Sequence, residues 1–239
     1  MRIAAFQRSP IFDDPDKAGK VVLRDLIWAD EQGVDLAVFP ESYLQGHSYD
    51  RSSIERRAVS LDSPVMRRFL DGASAIRATA ILGLFERRGD SIFNSAMVIE
   101  GGRFAGVYAK AFPIEDGCSP GTEYPVWLSG KWKFGINICN DMNYPQAAEQ
   151  LTQQGANLIC APHNVMLRPK KAEAWRLRSV ENLQACARRT GCWIVSADVA
   201  GPGNDGWFSY GCTAIVRPDG MVASRTTELV EDVAILDLA

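Results

Sequence analysis

Residues 135–146 read GINICNDMNYPQ. The stretch opens apolar and closes polar, with Cys139 at the join. The residues before Cys139 alternate as a strand does, and Asn140, Asp141, Asn143 and Pro145 read as a turn into a helix. A strand that hands over to a helix through a short polar turn is the repeating step of a layered α/β fold. Cys139 then sits at a strand end. It is either one more buried thiol, the ordinary reading of a lone strand cysteine, or a nucleophile on an elbow. A helix N-terminus close behind it would favour the thiolate, and turn amides could donate to an oxyanion.

The same grammar extends in both directions. Upstream, Arg2–Arg8 reads as a short strand, Asp14-Pro15 as the start of a helix that Gly33 stops, and Leu36–Phe39 as an apolar strand ending at Pro40-Glu41. A helix is expected from Pro64 to Arg77. Three strands follow, Ala80–Glu86, Phe93–Glu100 and Phe104–Lys110, the last two joined by Gly101-Gly102. Tyr124–Leu128 and Lys133–Cys139 make another hairpin. Downstream come a helix at Pro145–Gln154, a strand at Asn157–Ala161 and the longest helix candidate, Lys170–Arg189. Strands at Cys192–Val199, Gly211–Val216, Met221–Ser224 and Val230–Leu238 complete the chain. Alternation at both ends with hairpins between predicts an α/β fold with a mixed sheet or two sheets and helices outside. No repeat or linker interrupts it, so one domain over residues 1–239 is expected.

The chain has 239 residues, 46% of them hydrophobic, which suffices for one large core. Its 26 basic and 29 acidic residues leave a formal charge of -3 with no basic tract, so neither nucleic acid nor a membrane surface is an expected partner. No apolar run approaches the roughly 18 residues of a membrane span, and MRIAAFQRSP lacks a signal-peptide plan. Six scattered cysteines without a C-x-x-C pair point to a reducing, cytoplasmic setting without structural disulfides. With only His47 and His163, a dedicated zinc site is not expected.

Three further residues end strands. Glu41 follows LAVFP, at a sheet mouth where α/β proteins place ligand sites and where partial desolvation would make it a better base. The ordinary alternative is a loop acid. Lys110 ends VYAK between apolar neighbours, where a buried ammonium needs a partner; the alternative is a lysine reaching solvent. His163 ends LICAPH and could share an edge with Cys139, so a Cys–His dyad is a rival mechanism; otherwise it is a pocket-wall histidine. GPGNDG at 201–206 matches a dinucleotide-binding spacing, but WFSYGCT follows it instead of a helix, which leaves a flexible loop.

FPE at 39–41, YAK at 108–110 and ICND at 138–141, in that order and at those intervals, resemble the nitrilase superfamily of carbon–nitrogen hydrolases. RIAAFQ at the N-terminus, SPG at 119–121, GANLICAP at 155–162, RSVENLQACARRTG at 178–191 and SYGCTAIVRPDGMV at 209–222 also fit, so the resemblance spans essentially the whole chain. It implies a four-layer αββα sandwich of two mixed sheets, assembly into homodimers or larger homo-oligomers, and a Glu–Lys–Cys triad without metal or organic cofactor. On this resemblance Glu41 is the general base, Lys110 the cationic stabiliser and Cys139 the nucleophile. Glu115 is the second glutamate that family members often carry, with Glu123 as the fallback because the spacing to Gly121 is one residue short. The implied activity is hydrolysis of a small amide or N-carbamoyl compound through a thioester, releasing ammonia or an amine. Nitrile hydrolysis and acyl transfer are alternatives on the same machinery, and a catalytically silent interaction protein is the rival of another class.

The sequence also departs from its likenesses. ICND is similar to the N-carbamoyl-D-amino-acid hydrolases, which follow it with two arginines that grip a carboxylate; here Met142 and Asn143 stand there. NYP is similar to the aliphatic amidases, although Gln146 replaces their glutamate. Arg168 is a candidate replacement for the missing arginines. Asn140, Asn143, His163, Asn164 and Tyr49 are the expected pocket residues, with the Asn140 backbone N–H as an oxyanion donor.

Overall fold

The computed structural model describes residues 1–238. In chain order the elements are β1 (Arg2–Gln7), α1 (Pro15–Glu31), β2 (Leu36–Val38), α2 (Arg51–Arg57), α3 (Pro64–Ala73), β3 (Thr79–Arg88), β4 (Ser91–Glu100), β5 (Arg103–Ala109), β6 (Val126–Ser129), β7 (Trp132–Ile136), α4 (Pro145–Gln153), β8 (Leu158–Pro162), α5 (Pro169–Trp175), α6 (Arg178–Thr190), β9 (Trp193–Ala197), β10 (Gly201–Pro202), β11 (Phe208–Ser209), β12 (Ala214–Val216), β13 (Val222–Arg225) and β14 (Asp232–Asp237). They form two six-stranded sheets, ordered β14-β1-β2-β3-β4-β5 and β13-β12-β9-β8-β7-β6. Each is mixed. β1, β2 and β3 run parallel at the centre of the first and β7, β8 and β9 at the centre of the second, with antiparallel neighbours outside.

The alternation within single strands explains the layers. Along β1, Ala4 and Phe6 face α1 and α3, packing with Val22, Leu26 and Phe69. Ile3 and Ala5 face the other sheet, packing with Ile136, Leu158 and Val195. A strand covered on both faces is apolar throughout, as Ile3–Phe6 is. The outer face of the second sheet, with Ile159, Ile194 and Val216, packs on Leu151 of α4 and Leu183 of α6. Three buried clusters therefore mark three interfaces: helix to sheet, sheet to sheet, and sheet to helix.

Two expectations change. The single helix over Lys170–Arg189 is two, α5 and α6, separated by a turn at Arg176–Leu177. Ser179 Oγ donates to the Trp175 carbonyl (2.9 Å) at that turn, and Leu177 is exposed. At 17 residues α1 is longer than either. The segment 201–206 is not a plain loop: β10 and β11 pair as a small hairpin around it. Helix α2 was not anticipated. Its Asp50 cap accepts from Ser53 N (2.8 Å), but Ile54 is its one buried side chain, so it carries no apolar period.

One close approach on β3 fixes the loop after β2. A Cβ on Gly83 would lie 2.4 Å from both the Pro40 carbonyl oxygen and the Ser42 nitrogen. Both are backbone atoms and cannot swing away. Gly83→Ala is expected to lower stability by about 2–3 kcal/mol, a fall in melting temperature of roughly 4–12 °C. Calorimetry measures it; an unchanged melting temperature would show that the 40–42 backbone shifts freely.

Candidate active site

Four of the expected residues lie where a strand gives way to a loop: Glu41 after β2, Lys110 after β5, Cys139 after β7 and His163 after β8. β2 and β3 lie against β8 across the sheet interface, and the Glu41 N–H donates to the His163 carbonyl (3.0 Å). The two sheets thus bring their loops to a common edge.

Glu41, Lys110 and Glu115 form a buried ionic cluster. Lys110 Nζ donates to Glu41 Oε1 (2.6 Å) and to Glu115 Oε1 (2.7 Å). All three side chains are essentially inaccessible. Burial alone would lower the Lys110 pKa, but Glu41 and Glu115 hold it well above the usual lysine value. Burial pushes Glu115 upward, but Lys110 and a hydrogen bond from His47 outweigh it and hold the carboxyl well below the usual range. Glu123 is exposed, so the lysine's second partner is Glu115 and not the fallback. An ammonium has three N–H donors, and these two contacts use two of them.

Two cluster members were not singled out from sequence. Asn94, in the middle of β4, donates through Nδ2 to Glu41 Oε1 (2.8 Å). His47 places Nε2 3.0 Å from Glu115 Oε1 and 4.0 Å from Glu41 Oε1. A carboxylate only accepts, so Nε2 carries the hydrogen. His47 reaches the cluster because the chain turns back on itself, with φ of 47° at Ser42 and 81° at Gly46. A Cβ on Gly46 would lie 2.4 Å from the Ile11 carbonyl oxygen, so the loop is tied to glycine there. The signal available in the sequence was Gly46 itself. Glu41, His47 and Glu115 have the composition of a three-ligand metal set, with ligand atoms within 4.8 Å of one another. The Lys110 ammonium bridges its two carboxylates, so the cluster already contains its own cation.

Glu41 is held on one side only. Oε1 takes both hydrogen bonds, whereas Oε2 is buried and accepts none from the described residues.

Cys139 opens a 3₁₀ turn, Cys139–Asn143, and has φ of +40°. The expected helix, α4, starts only at Pro145, so the first backbone behind the thiol is this tight turn. A non-glycine residue at positive φ is strained and persists only where its surroundings hold it. Asp141 does so: it accepts from the Ile138 N–H (2.9 Å), the Phe112 N–H (2.9 Å) and the Tyr108 hydroxyl (2.8 Å). Burial raises its pKa to about 6. Burial, then the charge of Glu41, push the Cys139 thiol well above its ordinary pKa; Lys110 and the Asn164 backbone N–H pull the other way. The helix terminus expected close behind the thiol is therefore not there, since α4 begins at Pro145, and burial favours the neutral thiol.

Cys139 lines a cavity of about 170 Å³ together with Asn140, Asn143, His163, Asn164 and Tyr49, so all five expected pocket residues meet there. Their side chains are differently committed. Asn140 Nδ2 donates to the Phe112 carbonyl (2.8 Å), and its Oδ1 accepts from Asn143 (3.0 Å), which in turn accepts from Asn182 (2.9 Å). His163 Nδ1 donates to the Ala161 carbonyl (2.8 Å), and among the described residues no hydrogen bond links it to Cys139. Arg168 is turned away. It bonds the Asp205 carbonyl and lies over the Trp207 ring, outside this cavity. A larger cavity of about 460 Å³ meets the first at Tyr49 and includes His47 but not Cys139.

Residues 2–239 match the family described as carbon–nitrogen hydrolase. A nitrilase from Pyrococcus abyssi is 28% identical over 100% of this chain and 89% of its own length. An (R)-stereoselective amidase from Pseudomonas sp. is 27% identical over 79% of this chain and 67% of its own. Among solved structures, a mutant of the amidase from Nesterenkonia sp. AN1, showing the result of Michael addition of acrylamide at its active-site cysteine, superposes with a TM-score of 0.86. That match has 22% identity and covers 100% of this chain and 93% of the other. At that identity the likeness concerns the fold, and it bears out the expected αββα sandwich. Among the described residues no helix is long and apolar enough to cross a membrane.

Proposed function

The chain belongs to the carbon–nitrogen hydrolase family, and from that premise we propose that it hydrolyses a small amide, through a thioester on Cys139 with Glu41 as general base. The observation that carries this reading is Glu41 Oε2, a buried carboxylate oxygen with no hydrogen-bond donor. An unpaired buried acceptor is costly and is the feature a proton acceptor must have. The neutral thiol supplies the matching requirement, because it must lose its proton as it attacks.

The steps then balance. Cys139 Sγ bonds to the carbonyl carbon as its proton passes to Glu41 Oε2, and the carbonyl electron pair moves to oxygen. The remaining N–H of Lys110 and the N–H of Asn140 stabilise that oxyanion; the first N–H groups of a helical turn have no partner within it. Removing one such donor typically lowers kcat by about 10²–10³-fold. The C–N bond breaks, its electron pair stays on nitrogen, and Glu41 returns the proton to it as ammonia leaves. Water then attacks the thioester, losing a proton to Glu41, and collapse expels the thiolate, which takes that proton back. Glu115 and His47 act one step removed, by fixing Lys110. A nitrile brings no N–H to the unpaired Glu41 oxygen, which favours the amide reading; the amidase relative supports it.

Alkylation tests the nucleophile. Only Cys118 and Cys139 of the six free thiols are partly exposed. Cys118 is pushed up to about 12 by burial and does not line the cavity. Iodoacetamide is expected to modify Cys139 at least tenfold faster than any other cysteine, and Cys139→Ala to abolish ammonia release from primary amides. Uniformly slow labelling by peptide mass spectrometry would overturn the assignment.

A further inference from the structure

The segment that carries Lys110 is stitched to the turn that carries Cys139. The Tyr108 hydroxyl donates to Asp141 Oδ2 (2.8 Å), and the Phe112 N–H donates to Asp141 Oδ1 (2.9 Å). The Phe112 carbonyl accepts from Asn140 Nδ2 (2.8 Å). The Phe112 ring stacks on Tyr144, with centroids 3.9 Å apart and planes 7° from parallel. Lys110 lies midway between Tyr108 and Phe112, so its backbone is tied down on both flanks. Tyr108 belongs to β5 of one sheet, and residues 139–144 follow β7 of the other. The stitching therefore crosses from sheet to sheet.

Asp141 is the knot. It is completely buried, and Tyr108 is 1% exposed. Its Oδ2 also accepts from the N–H of Ile138, the residue before Cys139 (2.9 Å). One carboxylate thus grips the approach to Cys139 and both flanks of Lys110. Burial, then the charge of Asp141, push the Tyr108 phenol well above its ordinary pKa, so the hydroxyl keeps the proton it donates. An ionised carboxylate accepts at two oxygens, whereas an amide has one. Neither Asp141 nor Tyr108 lines the cavity at Cys139. A buried carboxylate is a costly fastener, and what this one fixes is the placement of Lys110 relative to Cys139.

We infer that Asp141, together with Tyr108, is a positioning residue for the reaction: it sets the Lys110 ammonium against the Cys139 thiol across the two sheets and touches no substrate atom. This rests on the mechanism proposed above, in which Lys110 stabilises the oxyanion formed at Cys139. A misplacement of about 1 Å set off by a change away from the chemistry can cost about 10²-fold. Here the loss falls on turnover, because the displaced groups act in the transition state.

Tyr108→Phe keeps the ring and removes one donor. It is expected to lower kcat on a primary amide about tenfold, with KM within about twofold of the unmodified protein. Asp141→Asn has one oxygen for two sides and must release either Phe112 or the pair Ile138 and Tyr108. It is expected to cost about 10²-fold in kcat, again with little change in KM. A lower melting temperature with kcat unchanged would overturn the inference and leave the pair a structural link; so would losses that fall on KM. A second readout needs no turnover. Iodoacetamide is expected to label Cys139 about threefold or more slowly in Tyr108→Phe, because the ammonium that favours the thiolate has moved, while Cys118 labels at its unmodified rate. A merely loosened turn would expose the thiol and speed its labelling; that result, or an unchanged rate, counts against the clamp. If Asp141→Asn does not fold, Tyr108→Phe still supplies both readouts. If the unmodified protein hydrolyses no amide, the amide reading itself fails, while the labelling comparison still decides whether Asp141 and Tyr108 hold Lys110 against Cys139.

Discussion

Glu41→Gln lowers kcat on a primary amide by roughly 10³–10⁴-fold, the upper part of the range for loss of a general base, and leaves the protein folded. The loss is expected at that end because, on the proposed mechanism, one carboxylate moves the proton in both halves of the reaction. The fold is spared for a separate reason. Glutamine keeps an oxygen where Oε1 accepts from Lys110 and Asn94. Counting Glu41, Glu115 and Lys110, the change takes the buried cluster from one net negative charge to neutral. Rates and thermal melts of the same preparation check both parts. The companion variant His163→Ala retains activity within about tenfold of the unmodified protein if His163 is a wall of the cavity. The opposite pattern, full activity in Glu41→Gln and none in His163→Ala, would replace the triad by the Cys–His dyad.

Lys110→Met is expected to abolish turnover and also to destabilise the protein, by about 3–5 kcal/mol near neutral pH, because two carboxylates remain buried without their cation. The deficit depends on pH with a definite sign. Glu115 is held below its ordinary pKa in the folded protein, so between that value and about 4.5 the unfolded chain binds the extra proton and stability rises with pH. This contribution is fully present above the unfolded value and is lost as pH falls through the folded one. Lys110, held above its ordinary value, contributes stability that is present below the unfolded lysine value and lost as pH rises through the folded one. The difference between the unmodified protein and Lys110→Met is therefore largest from about pH 5 to pH 10 and shrinks in acid. Denaturant melts at pH 4 and pH 7 measure it; an equal deficit at both would mean that the carboxylates do not carry it.

Much of the candidate site's geometry was legible because it lies at strand ends. Glu41, Lys110 and Cys139 each close an apolar run, and in parallel strands such ends share one edge. The cluster's other partners follow different rules. Asn94 interrupts the apolar run of β4 at an inward position, a signal visible in IFNSAMVI but meaningless without knowing what lies opposite. His47 belongs to a loop with no periodicity and arrives through two positive-φ residues, a path that backbone geometry sets and residue type barely hints at. The break between α5 and α6 was hidden for the opposite reason. Ala172, Ser179, Val180 and Leu183 are buried on both sides of it, so the pattern continues while the backbone tightens. The tight turn behind Cys139 was not legible, because a strand-turn-helix pattern does not say how many residues separate the thiol from the helix.

The charges proposed to activate the thiol and the thiol itself belong to different sheets. Glu41 and Lys110 leave the sheet of β1 to β5, whereas Cys139 and Asn164 leave the sheet of β6 to β9. Neither sheet holds the whole candidate site by itself, so on the proposed mechanism turnover waits until the two halves have docked. The first sheet is also expected to close late, since β1 pairs with β14 and Arg2 lies opposite Asp237; contacts at such separation form slowly. Recovery of turnover during refolding is therefore expected to be a chronometer for the last assembly event, with helix content returning earlier.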